Sequence, residues 1–431
     1  MDTFRQSLWS SLAGARVPSL PLDRDLDVDV LVCGGGFLGL STALHLARSG
    51  VDVALVETQE AGFGASGRNT GFVVPSMKTA IGPDDVASRL GPVFAERLVS
   101  LVGGSGDTLF DLVRDLSLDC GAEQTGWLQP AHSADMLPVL ERRALEWQRL
   151  GRNVEMLDRQ ATAARIGTDV YHGALLVPSG GQINPLAYAR GLADACIAAG
   201  VKMFEGTKVL GFEPVNGWRA QTPQGSIRAD RVLLATNALV GNLVPEVNAS
   251  IIPARVFQIA TQPYNRATQE HILPTRTPVA DTRRHTFAVR WSPDGRLMTG
   301  GIVMMGPRAM ERAKQKFGRR LQTFFPEIPT PKADYSWTGT IAVTMDSYPR
   351  FMQVASNMDA VIGCNGRGVA LTTALGQRLA LHYAGKDKDG FVLPHERPKA
   401  IPMRRFAELA PSFWLPLSEF WDARESARPN I

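Results

Sequence analysis

The stretch DVLVCGGGFLGLSTALHLARSGVDVALVE, residues 29–57, decides the fold. Val28–Val32 is a short apolar run with β-branched residues, bounded by glycines, and it predicts a buried strand. Phe37–Arg48 follows helical spacing, with Leu40, Leu44 and Ala47 on one face and Gly50 as the stop. Asp52–Glu57 reads as a second strand. Between the first strand and the helix, Gly34, Gly36 and Gly39 stand in G-x-G-x-x-G spacing. Gly34 permits a tight turn, Gly36 lets a pyrophosphate approach the backbone, and Gly39 lets the helix pack on the strand. The pyrophosphate then meets the free N–H groups and dipole of the helix start. Glu57 is placed to accept two ribose hydroxyls. A lone glycine pattern is weak in a chain with 41 glycines, and it is the surrounding β-α-β order that makes this a dinucleotide site.

Outward from this unit, a length of 431 residues exceeds what one hydrophobic core serves and predicts two domains. The net charge of +4, without long like-charge runs, argues against a nucleic-acid partner. Cys33, Cys120, Cys196 and Cys364 form no C-x-x-C pair, and the histidines are scattered. Neither a disulfide framework nor a metal site is legible, and a reducing cytoplasm is the expected location. The opening MDTFRQSLWSSLAGARVPSL has no basic start followed by a long apolar run, and no apolar stretch reaches eighteen residues. Neither a signal peptide nor a transmembrane segment is expected.

Further along, residues 80–165 are helix-rich, INPLAYARGLADACIAAGV (183–201) reads as a helix, and 202–235 reads as short strands. Residues 250–345 look β-rich, with one helix near 307–324. DAVIGCNGRGVALTTALGQRLALHYAG (359–385) repeats the strand, glycine loop and helix order of the start. The loop GFGASGRNTG (62–71) stands where a nicotinamide enzyme carries a third βαβ leg, and its small residues suit a flavin's ribityl chain.

On these residues the sequence resembles the D-amino-acid oxidase superfamily of FAD-dependent oxidoreductases, near the γ-glutamylputrescine oxidase-like branch. The resemblance rests on the SLW…LP arm, the Gly34–Glu57 unit, GASGRNTG (64–71), INPLAYARGLA (183–193) and EGTKV (205–209). LLATNA (233–238), DGRLMTGG (294–301), WTGTIAVTMDSYPR (337–350) and NGRGVALTTALG (365–376) extend it. It implies an α/β fold: a discontinuous Rossmann-type FAD-binding domain with an inserted α+β substrate domain on a mostly antiparallel sheet. The expected division is 1–79, 176–245 and 346–395 for FAD, 80–175 and 246–345 for substrate, and 396–431 as a C-terminal tail.

Carried over by residue, the resemblance implies that Gly34, Gly36, Phe37 and Leu38 face the pyrophosphate and Glu57 the adenosine ribose. Ala65, Ser66, Arg68, Asn69, Thr70 and Gly71 would line the flavin, and the Val209 backbone would hold the adenine. Gly366, Arg367, Gly368, Val369 and Ala370 would approach the pyrimidine edge. A helix starting near Val369 would aim its N–H groups there, and Arg367 would add a cation. No cysteine occurs in 341–349, where related enzymes tether the flavin, so non-covalent FAD is expected. Cys364, near the flavin loop, reads as a buried apolar cysteine.

The implied reaction oxidises a C–H bond beside an amine nitrogen, with hydride passing to flavin N5 and the imine hydrolysed to a carbonyl plus amine. Candidate catalytic residues are Trp337 as pocket wall, Arg290, His285, and Met298, which stands where some relatives carry a lysine for reaction with oxygen. Arg255, Gln258 and Arg290 are candidate substrate ligands, Arg290 for a carboxylate or, equally, as an exposed strand residue. The expected partners are a small amine and oxygen or another electron acceptor, with a homo-oligomer or a partner subunit open. The alternatives are a dehydrogenase subunit passing electrons to a partner protein or quinone, and a non-catalytic flavin-binding assembly partner. The aromatic tail 404–421, with Phe406, Phe413, Trp414, Leu415, Leu417, Phe420 and Trp421, is expected to pack on protein. Pro402, Pro411 and Pro416 should interrupt any long amphipathic helix there.

Overall fold

The computed structural model describes residues 4–78, 81–304 and 306–426. The predicted β-α-β unit is present as strand Leu26–Cys33, helix Phe37–Arg48 and strand Val53–Val56. Five strands run parallel in the order Lys202–Phe204, Val53–Val56, Leu26–Cys33, Gly225–Leu234 and Met358–Ile362. Alternation along them explains why they read as continuous apolar runs. Val32, Leu55 and Leu233 enter one core cluster, whereas Leu31, Ala54 and Val232 enter another on the opposite face. Both faces are covered, as parallel sheets require.

A second sheet of eight strands is antiparallel except where Val279 pairs in parallel with Leu128. Its longest strand, Ile252–Pro263, lies between Arg296–Ile302 and the edge strand Ala333–Val343. The expected helix near 307–324 is Ala309–Phe324, whose buried Phe317, Leu321 and Phe324 pack on this sheet's cluster. A short helix, Arg266–His271, carries no strong signal in the sequence.

Two helices bring distant parts of the chain together. Phe37–Arg48 follows the glycine motif, and Gly368–Tyr383 follows the late glycine loop. A Cβ on Gly376 would lie 2.6 Å from Ser41 Cβ and 2.8 Å from the Leu38 carbonyl oxygen. The backbones approach this closely because Gly376 has no side chain, and Ser41 Oγ donates to the Thr373 carbonyl at 2.8 Å across the contact.

The N-terminal arm carries a short helix. Ser7 accepts from Ser10 N–H at 3.2 Å and starts the helix Leu8–Leu12, which buries Leu8 and Trp9 completely. Beyond it, Arg16 donates to the buried Glu205 carboxylate at 2.7 Å, which also accepts from Ser19 N–H and Ala61 N–H, both at 2.6 Å.

The tail differs from expectation. Arg404–Ser426 is one continuous helix despite Pro411 and Pro416. Proline removes a backbone donor without forbidding helical dihedrals, and here side chains pin the helix from outside. Asp422 and Glu425 accept from Arg284, and Glu419 meets both Lys316 and His285. Leu415, Ser418 and Asp422 are buried, while Phe406, Trp414, Leu417 and Phe420 are exposed; the Phe413 side chain lies outside the described residues. No helix among the described residues is long and apolar enough to cross a membrane.

Gly376→Ala tests the helix contact. Helix propensity alone favours alanine by about 1 kcal/mol, so the expected net loss of about 1–3 kcal/mol in denaturant unfolding would isolate the steric clash. An unchanged or raised midpoint would show that the two helices part at no cost.

Candidate functional site

The two helix starts open on one cavity of about 800 Å³. Its wall includes Gly36, Phe37 and Leu38, then Ala65, Ser66, Arg68, Asn69 and Thr70 from the following loop, and Gly366, Arg367, Gly368 and Val369 from the late one. Gly36 gives its helix no side-chain cap, and Phe37 N–H donates to Ser66 Oγ at 3.0 Å. The remaining first-turn N–H groups have no intrahelical partner. With the second helix starting at Gly368, two positive dipole ends converge on the same space.

A dinucleotide fits these residues. Gly34 takes φ +120, and a Cβ there would meet the Ala235 carbonyl oxygen at 2.8 Å. Gly39 lies against the Gly34 carbonyl, and its absent Cβ would also press on Val32 Cγ1 at 3.2 Å. Glu57 is fixed by Gly35 N–H at 2.7 Å and Gln59 N–H at 2.9 Å. Burial pushes its carboxyl upward against those hydrogen bonds, as a diol-binding carboxylate out of water would be. Gly34, Glu57, Gly71, Val209 and Ala370 do not themselves line the large cavity. Gln258 does, and its buried Oε1 has no hydrogen-bond partner among the described residues.

The four candidate catalytic side chains lie elsewhere. Trp337 is fully buried beneath the 65–71 loop, its indole N–H donating to the Arg68 carbonyl at 2.9 Å. Met298 is equally buried and packs in the same cluster. Arg290 is no exposed strand residue. Its guanidinium spans the carbonyls of Thr70 at 3.0 Å, Gly71 at 3.1 Å and Ile183 at 2.8 Å, and burial pulls it down to about 9. Nη1 and Nε are thus spent on backbone carbonyls, and Arg290 does not line the cavity. His285 precedes the strand Ala288–Trp291 and sits with Glu419 and Lys316, outside the cavity wall. Arg255 is likewise outside, donating to Thr338 Oγ1 at 3.5 Å.

Other residues furnish the cavity. Lys78 reaches Ser347 Oγ at 3.0 Å, and burial followed by the nearby Arg367 guanidinium lowers its ammonium. Arg367 turns onto the carbonyls of Ser76 and Met77 and stands 5.4 Å from the Trp127 ring centre. His132, Thr282, Arg283, Arg284 and Glu425 also line the cavity. His132 Nδ1 lies 2.8 Å from Thr282 Oγ1, and burial holds the imidazole below its ordinary range. Arg284 binds Asp422 at 2.9 Å and Glu425 at 2.7 Å, holding the Glu425 carboxyl below the usual range. His132, Asp422 and Glu425 offer ligand atoms within 4.8 Å of one another, but Arg284 already holds both carboxylates. No sequence pattern marks these residues, which come from separate loops, a helix start and the tail helix.

Comparison with known proteins gives a consistent result. The family model described as "FAD dependent oxidoreductase" (DAO) matches residues 29–381. Gamma-glutamylputrescine oxidoreductase of Escherichia coli (strain K12) is 32% identical over 400 residues, covering 92% of this chain and 93% of that protein. An opine oxidase subunit of Rhizobium meliloti is 24% identical over 361 residues, covering 80% of this chain and 90% of that protein. Among solved structures, glycine oxidase from Geobacillus kaustophilus superposes with a TM-score of 0.70 at 20% identity, covering 85% of this chain and 96% of that one.

Cysteine reactivity reports on the cavity. Cys33, Cys120 and Cys196 are buried, whereas Cys364 is half-buried and lines the cavity. Burial raises the Cys364 thiol, and the thiolate is the reactive form. Alkylation of the native apoprotein should therefore be confined to Cys364, slow at pH 7, and still accelerating past pH 9. Added FAD should suppress it; peptide mapping that finds Cys364 equally labelled with FAD bound would place the cofactor elsewhere.

Proposed function

The chain belongs to the family of FAD-dependent oxidoreductases, and from that premise we propose that it oxidises the carbon–nitrogen bond of a small amine or amino acid. The carrying observation is one cavity lined both by the glycine-containing helix starts and by a paired guanidinium and carboxylate, Arg284 and Glu425. The named activities of the gamma-glutamylputrescine and glycine relatives support this substrate class.

Bound FAD supplies a two-electron acceptor. The protein's part is to hold cofactor and amine. On this reading Gly34, Gly36, Phe37 and Leu38 take the pyrophosphate, Glu57 the ribose and the Val209 backbone the adenine. The 65–71 loop and the 366–370 helix start take the ring system. FAD is held without a covalent bond, so acid precipitation should release it. The FAD part comprises 1–79, 176–245 and 346–395, and the inserted segments 80–175 and 246–345 shape the substrate end. Lys78 and Arg367 in the wall disfavour a second cation nearby, which keeps a bound amine unprotonated and ready for oxidation. Water then hydrolyses the imine product to a carbonyl compound and an amine. In the cavity wall Glu425 offers a carboxylate to a substrate cation and Arg284 a guanidinium to a substrate carboxylate.

The second reading, a dehydrogenase that passes electrons to a partner protein or quinone, is favoured by the exposed Phe406, Trp414, Leu417 and Phe420 of the tail helix. It draws further support from the relative named as an oxidase subunit. One experiment separates the readings. Under anaerobic conditions, amino acids, N-methyl amino acids, polyamine conjugates and opine-like secondary amines are added singly while the visible flavin band is followed. Bleaching by one class identifies the donor, and a flavin that dithionite reduces but no amine does would overturn the amine reading. Return of the band within seconds of admitting oxygen marks an oxidase, and slow return the partner-dependent enzyme.

With the bleaching substrate in hand, Glu425→Gln should raise KM about tenfold with little change in kcat, since it removes one charged hydrogen bond. Glu419→Gln, which touches the same helix's anchors but not the cavity, should leave KM within about twofold. Equal effects of the two would assign Glu425 to helix docking alone.

A further inference from the structure

Four consecutive carbonyls of the 65–71 loop are held from behind by three large, fully buried side chains. Trp337 Nε1 donates to Arg68 O at 2.9 Å, and Trp9 Nε1 donates to Asn69 O at 2.7 Å. Arg290 Nη1 donates to Thr70 O at 3.0 Å and Gly71 O at 3.1 Å. The three clamp residues brace one another. The Trp9 and Trp337 rings meet edge-on at 6.3 Å, and the Arg290 guanidinium lies 5.2 Å from the Trp9 ring centre.

In a trans peptide the carbonyl and the following N–H point in opposite directions. Drawing the carbonyls of residues 68, 69 and 71 away from the cavity turns the N–H groups of Asn69, Thr70 and Phe72 towards it, and all three residues line it. The fourth N–H, of Gly71, is taken by the Asn69 side chain at 2.7 Å. Asn69 Nδ2 in turn donates to Ser66 O at 2.7 Å, so the loop's only amide side chain is also spent on fixing its own backbone.

We propose that Trp9, Trp337 and Arg290 are positioning residues that hold this loop with its peptide N–H groups facing the flavin. The N-terminal arm is thereby part of the cofactor site although it touches no cofactor. Preorganised donors favour an electron-rich bound group, because none of the cost of orienting them falls on binding or reduction. The clamp also gives Arg290 and Trp337 a role that their distance from the cavity wall otherwise denies them.

The inference rests on FAD binding and not on the identity of the amine, and the wild-type holoenzyme is the reference for both. Trp9→Phe and Trp337→Phe keep an aromatic ring and delete the donor. Leu8→Met alters the same buried helix without a polar group, a volume-conserving change. FAD dissociation constants, visible flavin spectra, two-electron midpoint potentials and melting temperatures are measured for all four proteins. Each tryptophan variant should bind FAD about tenfold more weakly, the factor for one buried hydrogen bond. Each should also show a lower midpoint potential and a shifted flavin band, while Leu8→Met keeps the wild-type potential and spectrum. Tryptophan variants with wild-type potential and affinity would overturn the proposal, as would a Leu8→Met potential that falls equally far. A wild-type protein that binds no FAD would instead refute the flavoprotein reading itself.

Discussion

The close approach of two helices, Phe37–Arg48 and Gly368–Tyr383, is the constraint on which the rest of the structure depends. A glycine at 376 lets them touch at Ser41, and that contact fixes the distance between their N-terminal ends. Each helix start presents unpaired N–H groups to the cavity, and an anion or an electron-rich ring between them feels both dipoles. Strands Leu26–Cys33 and Met358–Ile362, which launch the two helices, are joined through Gly225–Leu234 in one parallel register. The sheet sets the direction of both helices and the glycine contact sets their spacing. The cavity's electrostatic character follows from the two together.

Around that frame the protein handles buried charge in two ways. Arg290 and Arg367 are deep cations whose donors go to backbone carbonyls. Such an arrangement hydrogen-bonds each guanidinium to neutral oxygens, and burial lowers both. Elsewhere in the cavity wall the opposite solution is used: Arg284 and Arg283 meet carboxylates directly. The first arrangement organises backbone, and the second leaves ionic groups available for exchange with a charged ligand.

The sequence made the two glycine-lined helix starts legible and left the arrangement of buried charge hidden. Gly34, Gly36 and Gly39 followed by Glu57 identify the dinucleotide unit because each glycine answers a local steric demand at fixed spacing. NGRGVALTTALG identifies the second helix start for the same reason. Arg290 was readable as a charged residue on a strand, but which face of that strand is buried depends on pairing with Arg296–Ile302 and on the arm packed behind it. The burial of Trp337 and Met298 away from the cavity has the same cause, since period-two alternation assigns faces only once the sheet's neighbours are known. His132, Arg284 and Glu425 meet through the tail helix, whose two prolines argued against its continuity. The ion pairs that hold it have no signature in local sequence.

The arm also imposes an order on assembly. Trp9 is synthesised well before Met298 and Trp337, against which it packs. The β-α-β unit is complete at Val56, but the loop that follows it cannot be locked until the strands carrying Arg290 and Trp337 have been made. The arm and the loop therefore wait for the same two strands.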